Sequence, residues 1–99
     1  MTTSDRPAIH PGKILRELYL VPLDIKPYSL AKSLGVPRTR IERIVSEKVG
    51  ITTDTALRLA KFFRTTPEFW MNLQVAYDIA IHAARLGRAL EDIPEVQAA

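Results

Sequence analysis

Four side chains in close succession, Arg38, Thr39, Arg40 and Arg43, could do chemistry on a polyanion. A guanidinium binds phosphate oxygens or the O6 and N7 of guanine bidentately, and a well-placed guanine pair is worth about 1–3 kcal/mol of discrimination between bases. Ile41, Ile44 and Val45 recur at helical spacing, so the spacing predicts a helix with this apolar stripe inward and the arginines outward. Glu42 shares the outward side and is expected to pair with Arg38 four residues earlier. Ser29, Lys32 and Lys48 flank the segment as candidate clamps on a phosphate backbone. Other chemistry has little support. His10 and His82 are the only histidines, neither lies at metal-ligand or nucleophile spacing, and Glu68 and Asp78 are too far apart on one helix to form a carboxylate dyad. No catalytic residue, metal or cofactor is expected, and the chain reads as a binding protein.

The elements that must position those arginines are legible next to them. In SLAKSLGVPRTRIERIV (Ser29 to Val45), Leu30 and Leu34 repeat at helical spacing, and Ala31 lets a second helix approach closely. Gly35 suits a left-handed helix stop, with Val36 turning back toward the core. Pro37 is expected at the first position of the next helix, where no backbone N–H bond is lost. Two short helices joined by a tight turn are the helix-turn-helix arrangement, in which the second helix enters the DNA major groove.

The charge distribution points the same way. The net charge of the 99 residues is only +3, yet from Lys26 to Arg64 nine basic residues (Lys26, Lys32, Arg38, Arg40, Arg43, Lys48, Arg58, Lys61, Arg64) face three acids (Glu42, Glu47, Asp54). From Thr65 onward, Arg85 and Arg88 face Glu68, Asp78, Glu91, Asp92 and Glu95. A basic middle suits a polyanion, and an acidic end suits self-packing or a basic protein partner. With no cysteine, no apolar signal core in MTTSDRPAIHPG and no membrane-length apolar run, a soluble cytoplasmic domain is expected.

Three- and four-residue apolar spacing recurs while strand alternation is scarce, so the chain is read as all-α with five helices. His10-Pro11-Gly12 leads into a short first helix through Ile14, Leu15 and Leu18, which Pro22 is expected to stop. Thr52 is the expected N-cap of a fourth helix carried by Leu57, Leu59, Ala60 and Phe63, with Asp54 in its first turn. Thr66-Pro67-Glu68 starts a fifth helix that runs to about Leu86, with Gly87 as its stop. Residues 1–8 are expected to be a flexible N-terminus, 9–86 the helix-turn-helix domain with its dimerisation helix, and 87–99 a tail, frayed from Glu91. The fifth helix carries more apolar surface than one face can hold. Phe69, Leu73, Ala76 and Ala80 form one stripe, with Trp70, Tyr77 and Ile81 beside it. Trp70, Leu73, Tyr77 and Ile81 are the candidate dimer seam, against the alternative that Trp70 covers the fourth helix within one chain.

Taken together, IHPGKILRELYL, SLAKSLGVPRTRIERIV, GITTDTALRLAKFF and TPEFWMNLQVAYD resemble the HigA/VapI-type antitoxins, a branch of the phage-repressor-like (XRE/Cro-cI) helix-turn-helix proteins. The likeness spans about Ile9 to Asp78. It implies a five-helix, lambda-repressor-like DNA-binding domain. It further implies a homodimeric antitoxin that neutralises a HigB-like, mRNA-cleaving toxin and represses its own operon by binding double-stranded operator DNA. A stand-alone phage-type repressor without a toxin is the alternative. Two positions depart from the family pattern. Lys26-Pro27 replaces a Ser-Gln pair, removing a DNA-contacting glutamine, and Glu47-Lys48-Val49 replaces a Gly-Lys-Arg turn, adding an acid near the phosphates.

Overall fold

The computed structural model describes residues 8–97, among which all regular structure is helical. Most of the expected N-terminal segment, 1–8, and the last two residues lie outside that range. Helix α1 spans three consecutive segments, Pro11–Ile14, a π-helical Leu15–Leu20, and Val21–Leu23. It is followed by α2 (Pro27–Leu34), α3 (Arg38–Val45), α4 (Thr53–Phe63), α5 (Pro67–Leu86) and a short α6 (Arg88–Glu91). Among the described residues there are thus six helices where five are expected. Gly87, at φ 42°, both ends α5 and opens α6, so the tail begins with one more helical turn.

Helix α1 also runs past its expected stop. An interior proline ordinarily clashes with the carbonyl four residues back. Here the wide π turn precedes it, and the Val21 N–H reaches five residues back to the Arg16 carbonyl. Pro22 is thereby accommodated, and the helix ends instead at Asp24, which is left-handed at φ 54°. The Ile25 N–H then bonds the Leu20 carbonyl at 2.9 Å and returns the chain to the core.

The start of α1 shows why His10, Pro11 and Gly12 occur together. His10 is the N-cap, and its Nδ1 accepts the Gly12 N–H at 2.8 Å. Pro11 takes the first helical position, where no N–H is required. At Gly12 a Cβ would stand 1.8 Å from the Ile44 carbonyl oxygen, so only glycine lets the start of α1 lie against the end of α3.

The core holds Leu15 and Leu20 from α1, Leu30, Ala31 and Leu34 from α2, Ile41 and Ile44 from α3, Ala56, Leu59 and Ala60 from α4, and Trp70 from α5. Ile51 joins it from the loop before α4. Helix α2 packs on α3 and α4, while α1 packs on α3 and α5. Leu57, expected inward on α4, is exposed, and the buried positions beside Leu59 and Ala60 are Thr55 and Ala56. The radius of gyration, 16.7 Å, exceeds the roughly 13 Å of a compact chain of this length. Among the described residues none after Gln74 is buried, so the distal half of α5, α6 and the residues after it add length without adding core.

Trp70, expected in a dimer seam, is instead fully buried within the chain. Its ring lies 5.1 Å from Tyr19 and 5.0 Å from Phe69, and its Nε1–H donates to Thr65 Oγ1 at 2.8 Å. Leu73 packs against the core, and the Tyr77 ring meets His10 edge-on at 4.8 Å. Ile81 follows half-buried on the same side. This stripe is the inward side of α5 because the helix lies along α4 and α1 and needs an apolar face there. Besides Phe69 beside the Trp70 ring, the large apolar residues left exposed from α5 onward are Val75, Ile79 and Leu86 on the opposite side, and Leu90, Ile93 and Val96 beyond.

Candidate nucleic-acid interface

The turn between α2 and α3 is closed by backbone geometry. Gly35 is left-handed (φ 72°, ψ 35°), its N–H bonds the Lys32 carbonyl at 3.2 Å, and the Val36 N–H bonds the Ala31 carbonyl at 3.1 Å. This paired arrangement satisfies the last carbonyls of α2 and fixes the direction of the chain into α3. Pro37 is the N-cap of α3 (φ −60°, ψ 143°), not the expected first helical residue. Its carbonyl accepts the Arg40 N–H at 3.0 Å, so Arg38 is the first helical residue.

Ile41 and Ile44 are fully buried. At 100° per residue, Thr39, Arg43 and Ser46 therefore lie at the centre of the outward face of α3, with Arg38 and Glu42 on one flank and Arg40 on the other. Ser29 and Lys32 are exposed one turn apart on α2, and Lys48 is exposed just after α3, where its N–H bonds the Arg43 carbonyl.

Every acid of the basic middle segment is engaged. Glu42 accepts from Arg38 Nε at 3.0 Å, four residues away. Glu47 accepts from Arg16 at 3.1 Å, and Arg16 also donates to the Val45 carbonyl, so the acid beside the recognition helix is matched by a cation from α1. Asp54, in the first turn of α4, accepts from both Arg58 Nε at 2.7 Å and Arg40 at 2.8 Å. These two cations, Arg58 first, hold its carboxyl below the ordinary carboxylate range. Lys26, Lys32, Arg43, Lys48, Lys61 and Arg64 have no carboxylate partner among the described residues. Their charge is available to an anion, and Arg43 stands at the middle of the α3 face.

Some contributors were not among the expected site residues. Arg58 donates from Nε to Asp54 and from Nη1 to the Leu34 carbonyl at 2.8 Å, joining α4 to the end of α2. Its four-residue spacing from Asp54 was a readable signal. Arg16 and its long-range partner Glu47 offered none. Tyr28 places its exposed ring 5.9 Å from the Arg38 guanidinium, at the outer limit of a cation–π contact. Gln74 anchors the site from behind. It is buried on α5, accepts the Ile51 N–H at 2.6 Å and donates to Asp78 at 2.9 Å, fixing the loop between α3 and α4.

Among the described residues no cluster of His, Cys, Asp or Glu could hold a metal ion, and no helix is long and apolar enough to cross a membrane.

A helix-turn-helix family model matches residues 15–70, which include the whole two-helix motif. Virulence-associated protein I of Dichelobacter nodosus is 51% identical over 76 residues, covering 77% of this chain and 70% of that protein. The fold is also similar to that of the Pseudomonas aeruginosa antitoxin HigA solved with the higBA promoter, at 40% identity and a TM-score of 0.89, covering 92% of this chain and all of that one. Antitoxin GraA in complex with its operator superposes with a TM-score of 0.90 at 34% identity, covering 99% of this chain and 100% of that one. The turn at Gly35, the buried stripe of α3 and these relatives agree: the chain belongs to the HigA/VapI-type antitoxins of the helix-turn-helix family.

Proposed function

We propose that this protein is a homodimeric antitoxin that binds operator DNA upstream of its own gene, represses transcription from it, and neutralises a HigB-like, RNA-cleaving toxin by binding rather than by catalysis. The observation that carries the DNA part is the face of α3, where Arg43 has no acidic partner and every acid in the segment from Lys26 to Arg64 is already matched by an arginine. The relatives solved with promoter or operator DNA support the same assignment. In this reading Thr39 and Arg43, with Arg38 and Arg40 beside them, face base edges and flanking phosphates. Ser29, Lys32 and Lys48 hold the backbone.

One such domain makes few contacts, so a promoter site calls for two copies on an inverted repeat, with recognition helices about 34 Å apart or a multiple of that. The exposed Val75, Ile79 and Leu86 on α5 supply an apolar face for that pairing. The acidic residues from Glu68 onward suit a basic ribonuclease toxin.

The test is binding to the duplex immediately upstream of the gene and to a scrambled duplex, each at two salt concentrations, for wild type and Arg43→Ala. Preference for the upstream duplex, with the log–log salt slope reduced by about 1 in the variant, is the expected result. Equal affinity for both duplexes in the wild type would reject the assignment.

A further inference from the structure

Resting on the DNA-binding reading above, we infer that Asp54 is a positioning residue for operator recognition, which sets the aim of the Arg40 guanidinium from outside the helix-turn-helix. Asp54 belongs to α4, not to the recognition helix. One of its carboxylate oxygens, Oδ1, takes the Arg40 contact at 2.8 Å and the Arg58 contact at 2.7 Å. Arg58 in turn donates to the Leu34 carbonyl at 2.8 Å. The chain of contacts therefore runs from the end of α2, through Arg58 and Asp54 on α4, to Arg40 on the flank of α3.

Three features make this an aiming device and not a neutralised ion pair. The carboxylate is fixed in place, because the first turn of α4 favours a negative charge and Arg58 one turn on holds it. It is shared, so two guanidiniums meet one carboxylate and the cluster keeps a net positive charge toward an approaching phosphate or base. It also sits to one side. Arg40 is the least outward of the three arginines on α3, and without a lateral partner its long side chain would sample many rotamers. With Asp54 in place, that freedom is given up before DNA arrives, which favours a single bidentate geometry over loose phosphate contact.

Arg38, by comparison, takes its partner Glu42 from within α3. Its aim is set by the helix alone. Asp54 couples the aim of Arg40 to the docking of α4 on the motif, so a residue remote in sequence helps set which operators are bound.

The experiment measures affinity for the upstream duplex and for a scrambled duplex at one salt concentration, using wild type, Asp54→Ala, Arg40→Ala and the double variant. Thermal melting of each variant and an additional Asp54→Asn variant separate loss of fold from loss of aim. The expected result is that Asp54→Ala lowers the ratio of upstream to scrambled affinity by ~5-fold or more. Scrambled binding stays level or tightens, because an acid has left the surface. In the Arg40→Ala background, removing Asp54 leaves the ratio unchanged. An unchanged ratio in Asp54→Ala, tighter upstream binding, or the same loss with and without Arg40 overturns the inference while leaving the DNA-binding reading intact. A wild type that does not distinguish the two duplexes removes the DNA-binding reading and the inference with it.

Discussion

The outward face of α3 and the outward face of the distal half of α5 are both exposed, yet they are built oppositely. On α3 the exposed side is cationic, its one acid, Glu42, is matched by Arg38, and the apolar residues Ile41 and Ile44 are fully buried. On α5 the apolar demand is met twice over, inward by Trp70, Leu73 and Tyr77 and outward by Val75, Ile79 and Leu86. A charged face over a filled core suits a ligand that brings compensating charge. An apolar face left over after the core is filled suits a protein surface. The difference is what the proposed function rests on when it gives DNA to one region and a second copy to the other.

The largest break in this contrast comes from the inward side of α5. Trp70→Ala removes a fully buried ring and its Thr65 hydrogen bond, and is expected to destabilise each chain by ~3–5 kcal/mol. Chemical denaturation in the presence and absence of DNA measures it. A loss under 1 kcal/mol, with dimerisation abolished, would return Trp70 to the seam.

The outward side gives a different result. Val75→Glu with Ile79→Glu places two charges where the apolar stripe is exposed, so the melting temperature of the single chain should hardly move while sedimentation shifts from dimer to monomer. Affinity for the upstream duplex should then fall by at least about tenfold, since a half-site alone holds few contacts. A variant that stays dimeric would move the seam elsewhere.

The smallest effect sharpens the boundary between the two regions, where His10 caps α1 and meets Tyr77. Burial lowers the His10 pKa from its ordinary 6.5, outweighing the opposing pull of Glu47 and Asp78. The unfolded chain therefore takes up a proton at higher pH than the folded one, and stability is full above 6.5 and declines as pH falls through 6.5 toward the lower folded value. His10→Asn keeps an N-cap acceptor without titrating in this range. The decline seen in wild type between about pH 7 and pH 5 should be smaller in this variant. An identical decline in both would assign it to other groups.

Much of the helix-turn-helix was readable because its signals are local. Leu30, Leu34, Gly35, Ile41 and Ile44 state a period and a turn, and the Arg38–Glu42 pair follows from four-residue spacing alone. Thr52 and Thr66 cap α4 and α5 as their positions in the sequence predict, accepting the Thr55 and Phe69 N–H groups. Three features lay outside such reasoning. Pro22 inside α1 depends on a π turn that has no sequence period of its own. The division of α5 into an inward and an outward side depends on where α1 and α4 lie, because both stripes are apolar. Arg16 with Glu47, and Arg40 with Asp54, are pairs formed across elements, 31 and 14 residues apart.

The sequence by itself determined the all-helical class, the helix-turn-helix with its outward arginines, and the basic middle that suits a polyanion. Those properties reside in nearest-turn spacing and in composition, which no tertiary contact can alter. Only the tertiary structure decided which stripe of α5 is core and which is free, why Gly12 must be glycine against the Ile44 carbonyl, and which arginine on α3 is held from α4 and which is left open. Each of these depends on the separation of atoms from different helices. That separation is set when the helices dock to bury Leu15, Leu59 and Trp70 together.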